Sequence, residues 1–136
     1  MNENKTDEQK ADITVQEDFS IGVMHLISLE EHFLFSFMKT RKEEYLAIYK
    51  EIRKMRILFM KKLLKNFDGE LWCISKHLLG SAMRFMETGA KSLTEDEKQE
   101  AIEFYKAAFD LYGLFQLLQS KGEKNDAGKS KKSQKI

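Results

Sequence analysis

The sequence predicts an all-α fold, an antiparallel up-down-up-down four-helix bundle with disordered N- and C-terminal tails. The chain of 136 residues contains no proline and only 7 glycines, so it has few of the residues that interrupt helices. Four segments repeat apolar residues at intervals of three and four, which is the period of an α-helix. The joints between these segments are short, and short joints place each helix antiparallel to the one before it.

The boundaries follow from the apolar pattern and from the turn residues beside it. The predicted helices are residues 16–39, 42–66, 70–89 and 95–120. The joints are marked by Thr40 with Arg41, Asp68 with Gly69, and Gly89. Thr94 followed by Glu97 has the spacing of a capping box at the start of the fourth helix.

Both ends of the chain lack apolar periodicity. Residues 1–15 form a mixed, predominantly acidic segment, and residues 121–136 form a Lys-rich segment. Segments of this composition bury too little apolar surface to offset the entropy of ordering. We therefore expect both to be disordered tails around a single domain, residues 16–120.

The first helix is apolar nearly all round. Its main side carries Phe19, Val23, Leu26, Ile27, Phe33, Leu34, Phe37 and Met38. Leu29 and Phe35 fall outside that side. This pattern is typical of a helix that is central in its domain or covered by a second subunit. It predicts a protein partner or a homodimer that uses the spare apolar side of the helix.

The other three helices each supply one apolar face to the core. In the second helix that face carries Tyr45, Ile48, Tyr49, Ile52, Met55, Phe59 and Leu63. In the third helix it carries Leu71, Ile74, Leu78, Ala82 and Phe85. In the fourth helix it carries Ala101, Phe104, Tyr105, Ala108, Leu111, Tyr112 and Phe115. Aromatic residues at this spacing indicate core packing more than a cofactor site.

Charge is nearly balanced overall but is separated along the chain. The formal net charge is +1, while residues 41–66 hold nine Lys or Arg and three Glu, a net of +6. Residues 1–18 and residues 93–120 each hold six acids and two Lys, a net of −4. This alternation predicts that neighbouring helices complement one another in charge. No apolar run is long enough to span a membrane, and a single cysteine favours a cytoplasmic protein.

A stripe of unusual composition lies on the third helix, beside its apolar face. It consists of Trp72, Cys73, His77, Gly80, Arg84 and Glu87. An ordinary solvent face would carry mostly Lys and Glu, and a glycine within the stripe admits a close neighbour. We interpret the stripe as a contact surface. The chain is therefore predicted to be a small, non-catalytic protein–protein interaction or scaffolding module.

Two charged residues occupy positions where the pattern calls for apolar ones. Glu30 lies on the apolar side of the first helix, and Arg56 lies on that of the second. In an antiparallel hairpin that turns near Arg41, the two side chains come within reach of each other. The sequence predicts a buried ion pair that fixes the register of the two helices. A ligand pocket with one acid and one base is the alternative.

Binding of RNA, DNA or another anionic partner is the main alternative function. Lysines line the outward side of the second helix, namely Lys50, Lys54, Lys61, Lys62 and Lys65. The C-terminal tail adds further lysines. Such a track can hold phosphates without reading bases.

A zinc-binding protein or thiol enzyme is a third possibility. The candidate ligands are His25 and His32 on the first helix, and Cys73 and His77 one turn apart on the third. Helices one and three are diagonal in a simple four-helix bundle, which argues against a shared site. The sequence holds no CxxC, HExxH or paired ExxH motif.

Overall fold

A computed structural model describes residues 7–133, with side chains described for residues 15–121. Within that range the chain forms four α-helices and no β-strand, which confirms the all-α prediction. The helices are α1 (Asp7–Thr40), α2 (Glu43–Leu63), α3 (Leu71–Thr94) and α4 (Lys98–Ser133). None of them, over the residues searched, is long and apolar enough to cross a membrane.

The outer helices extend beyond their expected ends. α1 begins at Asp7 and α4 continues to Ser133, within the segments expected to be tails. Neither segment contains a proline that would stop the helix. The outermost parts of the predicted tails, residues 1–6 and 134–136, lie outside the described residues.

The third helix also differs from its expected boundary, because α3 passes through Gly89 and ends at Thr94. The hydroxyl of Thr94 donates a hydrogen bond to the carbonyl of Ala90 at 3.0 Å, so it belongs to the end of α3 and does not cap α4. A Cβ atom at Gly89 would lie 2.7 Å from Cε1 of Tyr105. Glycine at this position therefore permits close packing of α3 on α4, where the sequence suggested a helix stop.

Each of the three joints contains one residue with left-handed backbone conformation. Arg41 has φ of 58°, Gly69 of 58° and Asp96 of 63°. At the first joint the N–H of Arg41 donates to the carbonyl of Phe37 at 2.6 Å, which closes the last turn of α1. Each joint is only a few residues long, and one such residue lies in each of them.

The helices pack in a definite order. α1 lies against both α2 and α3, and α3 lies against α4. The expectation that helices one and three are diagonal is therefore wrong. Within residues 7–133 the basic α2 and the acidic α4 make no close backbone approach, so their charges do not complement each other as neighbouring helices.

The hydrophobic core occupies one end of the molecule and draws on all four helices. It consists of Val23, Met24, Ile27, Met60, Leu63, Leu64, Leu78, Leu79, Ala82, Met83 and Phe115. By contrast, no side chain between residues 28 and 55 is fully buried. The second half of α1 and the first half of α2 therefore form a helical hairpin that the rest of the chain covers incompletely.

The buried face of α3 is rotated relative to the expected one. Ile74, predicted to be in the core, is 39% exposed, whereas its neighbour Ser75 is fully buried. The hydroxyl of Ser75 accepts a hydrogen bond from Nε2 of Gln119 at 3.3 Å. Because this bond satisfies the hydroxyl, a small polar residue is tolerated in the core and the larger isoleucine points outward.

Gln119 on α4 holds the loop between α2 and α3. Its Oε1 accepts hydrogen bonds from the backbone N–H groups of Lys65 at 2.8 Å and Asn66 at 2.9 Å. Its Nε2 donates to the carbonyl of Asn66 at 2.8 Å and to Ser75. One buried side chain thus provides hydrogen-bond partners for backbone groups of the loop that lie outside any helix.

Candidate functional site

The first part of the predicted interaction stripe lies at the start of α3. Trp72 is half-buried, and its ring meets that of Phe67 edge to face at 5.8 Å between centroids. Cys73 and His77 are exposed, and Cys73 is a free thiol. This part of the stripe offers one anchored aromatic side chain beside two accessible polar groups.

The second part of the stripe faces α1 of the same chain. A Cβ atom at Gly80 would lie 3.3 Å from Cγ2 of Ile27, so the missing side chain admits a helix of this chain. Nη2 of Arg84 lies 3.6 Å from Oε1 of Glu31, with both side chains about half exposed. Glu87 is exposed beside them. Gly80 and Arg84 are therefore already engaged by α1.

The structure does not bring the four candidate metal ligands together. His25 and His32 line a shallow depression between α1 and α3. His77 lines a different one, and Cys73 belongs to neither. Over the residues searched, no group of three or more His, Cys, Asp or Glu is placed to hold a metal ion. A zinc site needs at least three such ligands, so the geometry offers none among these residues.

Glu30 and Arg56 meet across the α1–α2 interface. Nε of Arg56 donates to Oε1 of Glu30 at 2.9 Å, and Nη2 donates to Oε2 at 3.2 Å. The arginine side chain is 3% exposed and the glutamate 14%. Nη1 of Arg56 also lies 3.9 Å from Sδ of Met60. This two-point contact orients both planar groups and joins the hairpin to the core.

The five lysines of the second helix and its end are all exposed. Lys54 pairs with Glu51 at 3.3 Å, and Lys62 lies over the ring of Phe59 at 5.7 Å from its centroid. Met55 and Leu58 are exposed on the same helix. The outward side of α2 is therefore a mixed basic and apolar surface.

An exposed apolar surface lies on the hairpin, at the end of α1. Ile27, Glu31, Leu34 and Met38 succeed one another at intervals of four, three and four, so they share one side of the helix. Ile27 is buried in the core, while Met38 is 51% exposed and the adjacent Phe35 is 60% exposed. The side that is buried at Ile27 is thus exposed beyond Glu31, whose carboxylate Arg84 of α3 contacts. We call Leu34, Phe35 and Met38 the tip face.

A second apolar surface is a groove of about 380 Å³ between the first part of α1 and α4. Its lining is Glu17, Ile21, Met24, Met86, Tyr105, Ala108, Phe109 and Tyr112. We call it the α1–α4 groove. Burial raises the pKa of the Tyr112 hydroxyl above its ordinary value. A hydrogen bond with Ser20 opposes that rise, and the negative charge of Glu17 adds to it.

The sequence pattern did not reveal the α1–α4 groove. The sequence predicts Tyr105 to be in the core, but it is 36% exposed, and Phe109 is 78% exposed. The sequence did contain one signal of this groove: Phe109 is an aromatic residue between the predicted core positions Ala108 and Leu111. Such a residue widens an apolar face beyond what one neighbouring helix can cover.

Neither a family model, nor a curated protein, nor a solved structure matches this chain.

Proposed function

We propose that this chain is a non-catalytic protein–protein interaction module that acts as a homodimer, joined through the tip face. The observation that carries the proposal is that the core side of α1, which is buried at Ile27, is exposed at Leu34 and Met38. Exposed leucine and methionine side chains on one helix side, with an exposed phenylalanine beside them, are typical of surfaces that meet another protein. The free thiol of Cys73 suits a reducing compartment, so we place the module in the cytoplasm.

A second copy of the chain is the partner that fits the tip face best. The hairpin contributes two helices, and a second hairpin would complete a four-helix layer around the exposed side chains. Residues 31–44 contain three acids and three bases, so two such segments carry no net charge that would keep them apart. A two-fold dimer uses the same surface twice and therefore needs such self-complementarity.

Within one chain, we infer that the helices run up, down, up and down as a bundle. Support comes from pairs of contacting residues. Between α3 and α4, Phe85 lies beside Phe104, whereas Ser75, nearer the start of α3, bonds Gln119, nearer the end of α4. Between α1 and α3, Ile27 lies beside Gly80 and Glu31 lies beside Arg84. Residue numbers therefore rise in the same direction along both helices, which makes α1 and α3 parallel.

The double variant Phe35→Lys/Met38→Lys is expected to convert the dimer to a monomer. Burial of a large apolar side chain contributes about 1.5–3 kcal/mol, so losing two should raise the dissociation constant at least about 100-fold. Light scattering across a dilution series measures the change. Leu117→Lys on α4 is the matched control, because Leu117 is 50% exposed but lies away from the tip face. A wild-type protein that stays monomeric at micromolar concentration contradicts the dimer. An equal rise of the dissociation constant in the Leu117 control contradicts the tip face as its interface.

A second candidate function, binding of RNA, DNA or another anionic partner, is favoured by the exposure of all five lysines of the α2 track. The apolar Met55 and Leu58 beside them fit a phosphate track poorly. We expect the protein to elute from immobilised heparin below about 0.3 M salt, because few phosphate contacts survive such salt. Retention above that concentration, lost in a Lys54→Glu/Lys61→Glu variant, would favour the second function.

A further inference from the structure

We propose that the α1–α4 groove is a docking site for a basic amphipathic helix of a partner protein. The inference rests on the function proposed above, that the chain is an interaction module, and it assigns a second surface with a different partner. The groove uses residues 17–24 of α1 and the tip face uses residues 34–38, so the two contacts do not compete for the same residues.

The walls and floor of the groove suit a helix with one apolar side. Met24 and Ala108 are buried at its floor, and Met86 is half-buried beside them. Ile21 and Phe109 also line the groove, and both are exposed. Methionine side chains are flexible and polarisable, and grooves built from them adapt to the apolar side chains of a bound helix.

The openness of the groove favours a helix over a small apolar molecule. Phe109 is 78% exposed, so a ligand confined to the groove would leave most of this ring in water. A helix laid along the groove would cover the ring and also fill the space between α1 and α4. Sites for small molecules, by contrast, usually enclose most of the ligand surface.

Charge indicates that the partner helix is basic. The described residues around both walls are acidic. On α1, residues 15–25 hold Glu17 and Asp18 and no Lys or Arg. On α4, residues 100–116 hold three acids and one Lys, and that Lys, Lys106, pairs with Asp110 at 2.8 Å. Glu17 lines the groove and Asp18 is exposed next to it. The basic residues 41–66 lie mainly on α2, which does not contribute to this groove. The local field therefore attracts cations and repels acidic peptides.

Two synthetic amphipathic peptides test the proposal. Both carry leucine on one side, and the opposite side carries lysine in one peptide and glutamate in the other. Fluorescence anisotropy with the full chain is expected to show the lysine peptide binding at least about tenfold more tightly at low salt, with the difference shrinking as salt screens the charges. Ile21→Lys should reduce binding of the lysine peptide at least about tenfold, because it places a like charge in the groove.

Ile74→Lys is the matched control, since Ile74 on α3 is 39% exposed and Ile21 is 43% exposed. It should leave peptide binding unchanged. Equal binding of the two peptides overturns the proposal. So does a loss of affinity for the lysine peptide in the Ile74 variant that equals the loss in the Ile21 variant. Binding of the apolar dye anilinonaphthalene sulfonate, lost in the Ile21 variant, without binding of either peptide assigns the groove to small molecules and also overturns it. Light scattering of the Ile21 variant reports the dimer separately, so the two proposals can fail independently.

Discussion

Glu30→Ala is expected to lower the free energy of unfolding by about 3–5 kcal/mol, the usual cost of stranding one member of a buried ion pair. Arg56 is 2% exposed, and two of its nitrogens donate to the Glu30 carboxylate. Without that carboxylate, the guanidinium keeps its charge inside the protein, and among the described side chains Sδ of Met60 is its remaining polar contact. Urea denaturation followed by circular dichroism measures the loss.

Glu31→Ala is the matched control for this prediction. Glu31 is the next residue in α1, and its pair with Arg84 is about half exposed with a 3.6 Å separation, so its loss should cost less than about 1 kcal/mol. The double variant Glu30→Leu/Arg56→Met removes both charges and should recover most of the stability. Similar losses from Glu30→Ala and Glu31→Ala would contradict a buried role for the Glu30–Arg56 pair.

Gln119→Leu is expected to lower the free energy of unfolding by about 3 kcal/mol or more. Leucine keeps most of the volume but removes four hydrogen bonds, three of them to backbone groups of Lys65 and Asn66. Each buried polar group left without a partner costs about 1–3 kcal/mol. The α2–α3 loop should also loosen, so hydrogen exchange at the amide of Asn66 should accelerate more than exchange in the middle of α3.

Gln99→Leu provides the control, because Gln99 is an exposed glutamine at the start of the same helix. Its replacement should change stability by less than about 0.5 kcal/mol. If Gln119→Leu were equally neutral, the loop would not depend on this side chain.

The juxtaposition of Glu30 and Arg56 was predictable from the sequence because its determinants are local. A charge at a helical core position is visible in the pattern, and a short joint at Arg41 fixes which residues of two antiparallel helices face each other. The same local rules identified four helices and the positions of two of their joints.

Gln119 was not predictable in the same way. Three of its four hydrogen bonds join backbone groups in a loop more than 50 residues away, and a glutamine near the predicted end of a helix carries no signal of such a contact. The packing order of the helices was also missed, because periodicity defines an apolar face but not which neighbour covers it. The groove was missed for the same reason, since it depends on α1 and α4 lying on either side of one space beside Phe109.

A distance measurement between two copies of the chain tests whether the homodimer is joined at the tip face. The chain has one cysteine, so spin labels can be placed singly at Lys39→Cys or Ser120→Cys in a Cys73→Ser background. Both positions are exposed, Lys39 beside the tip face and Ser120 far along α4 from it. Double electron–electron resonance should give a short intermolecular distance at position 39 and a longer one at position 120. No intermolecular distance at either position would contradict the homodimer, and a shorter distance at position 120 would contradict the tip face as its interface.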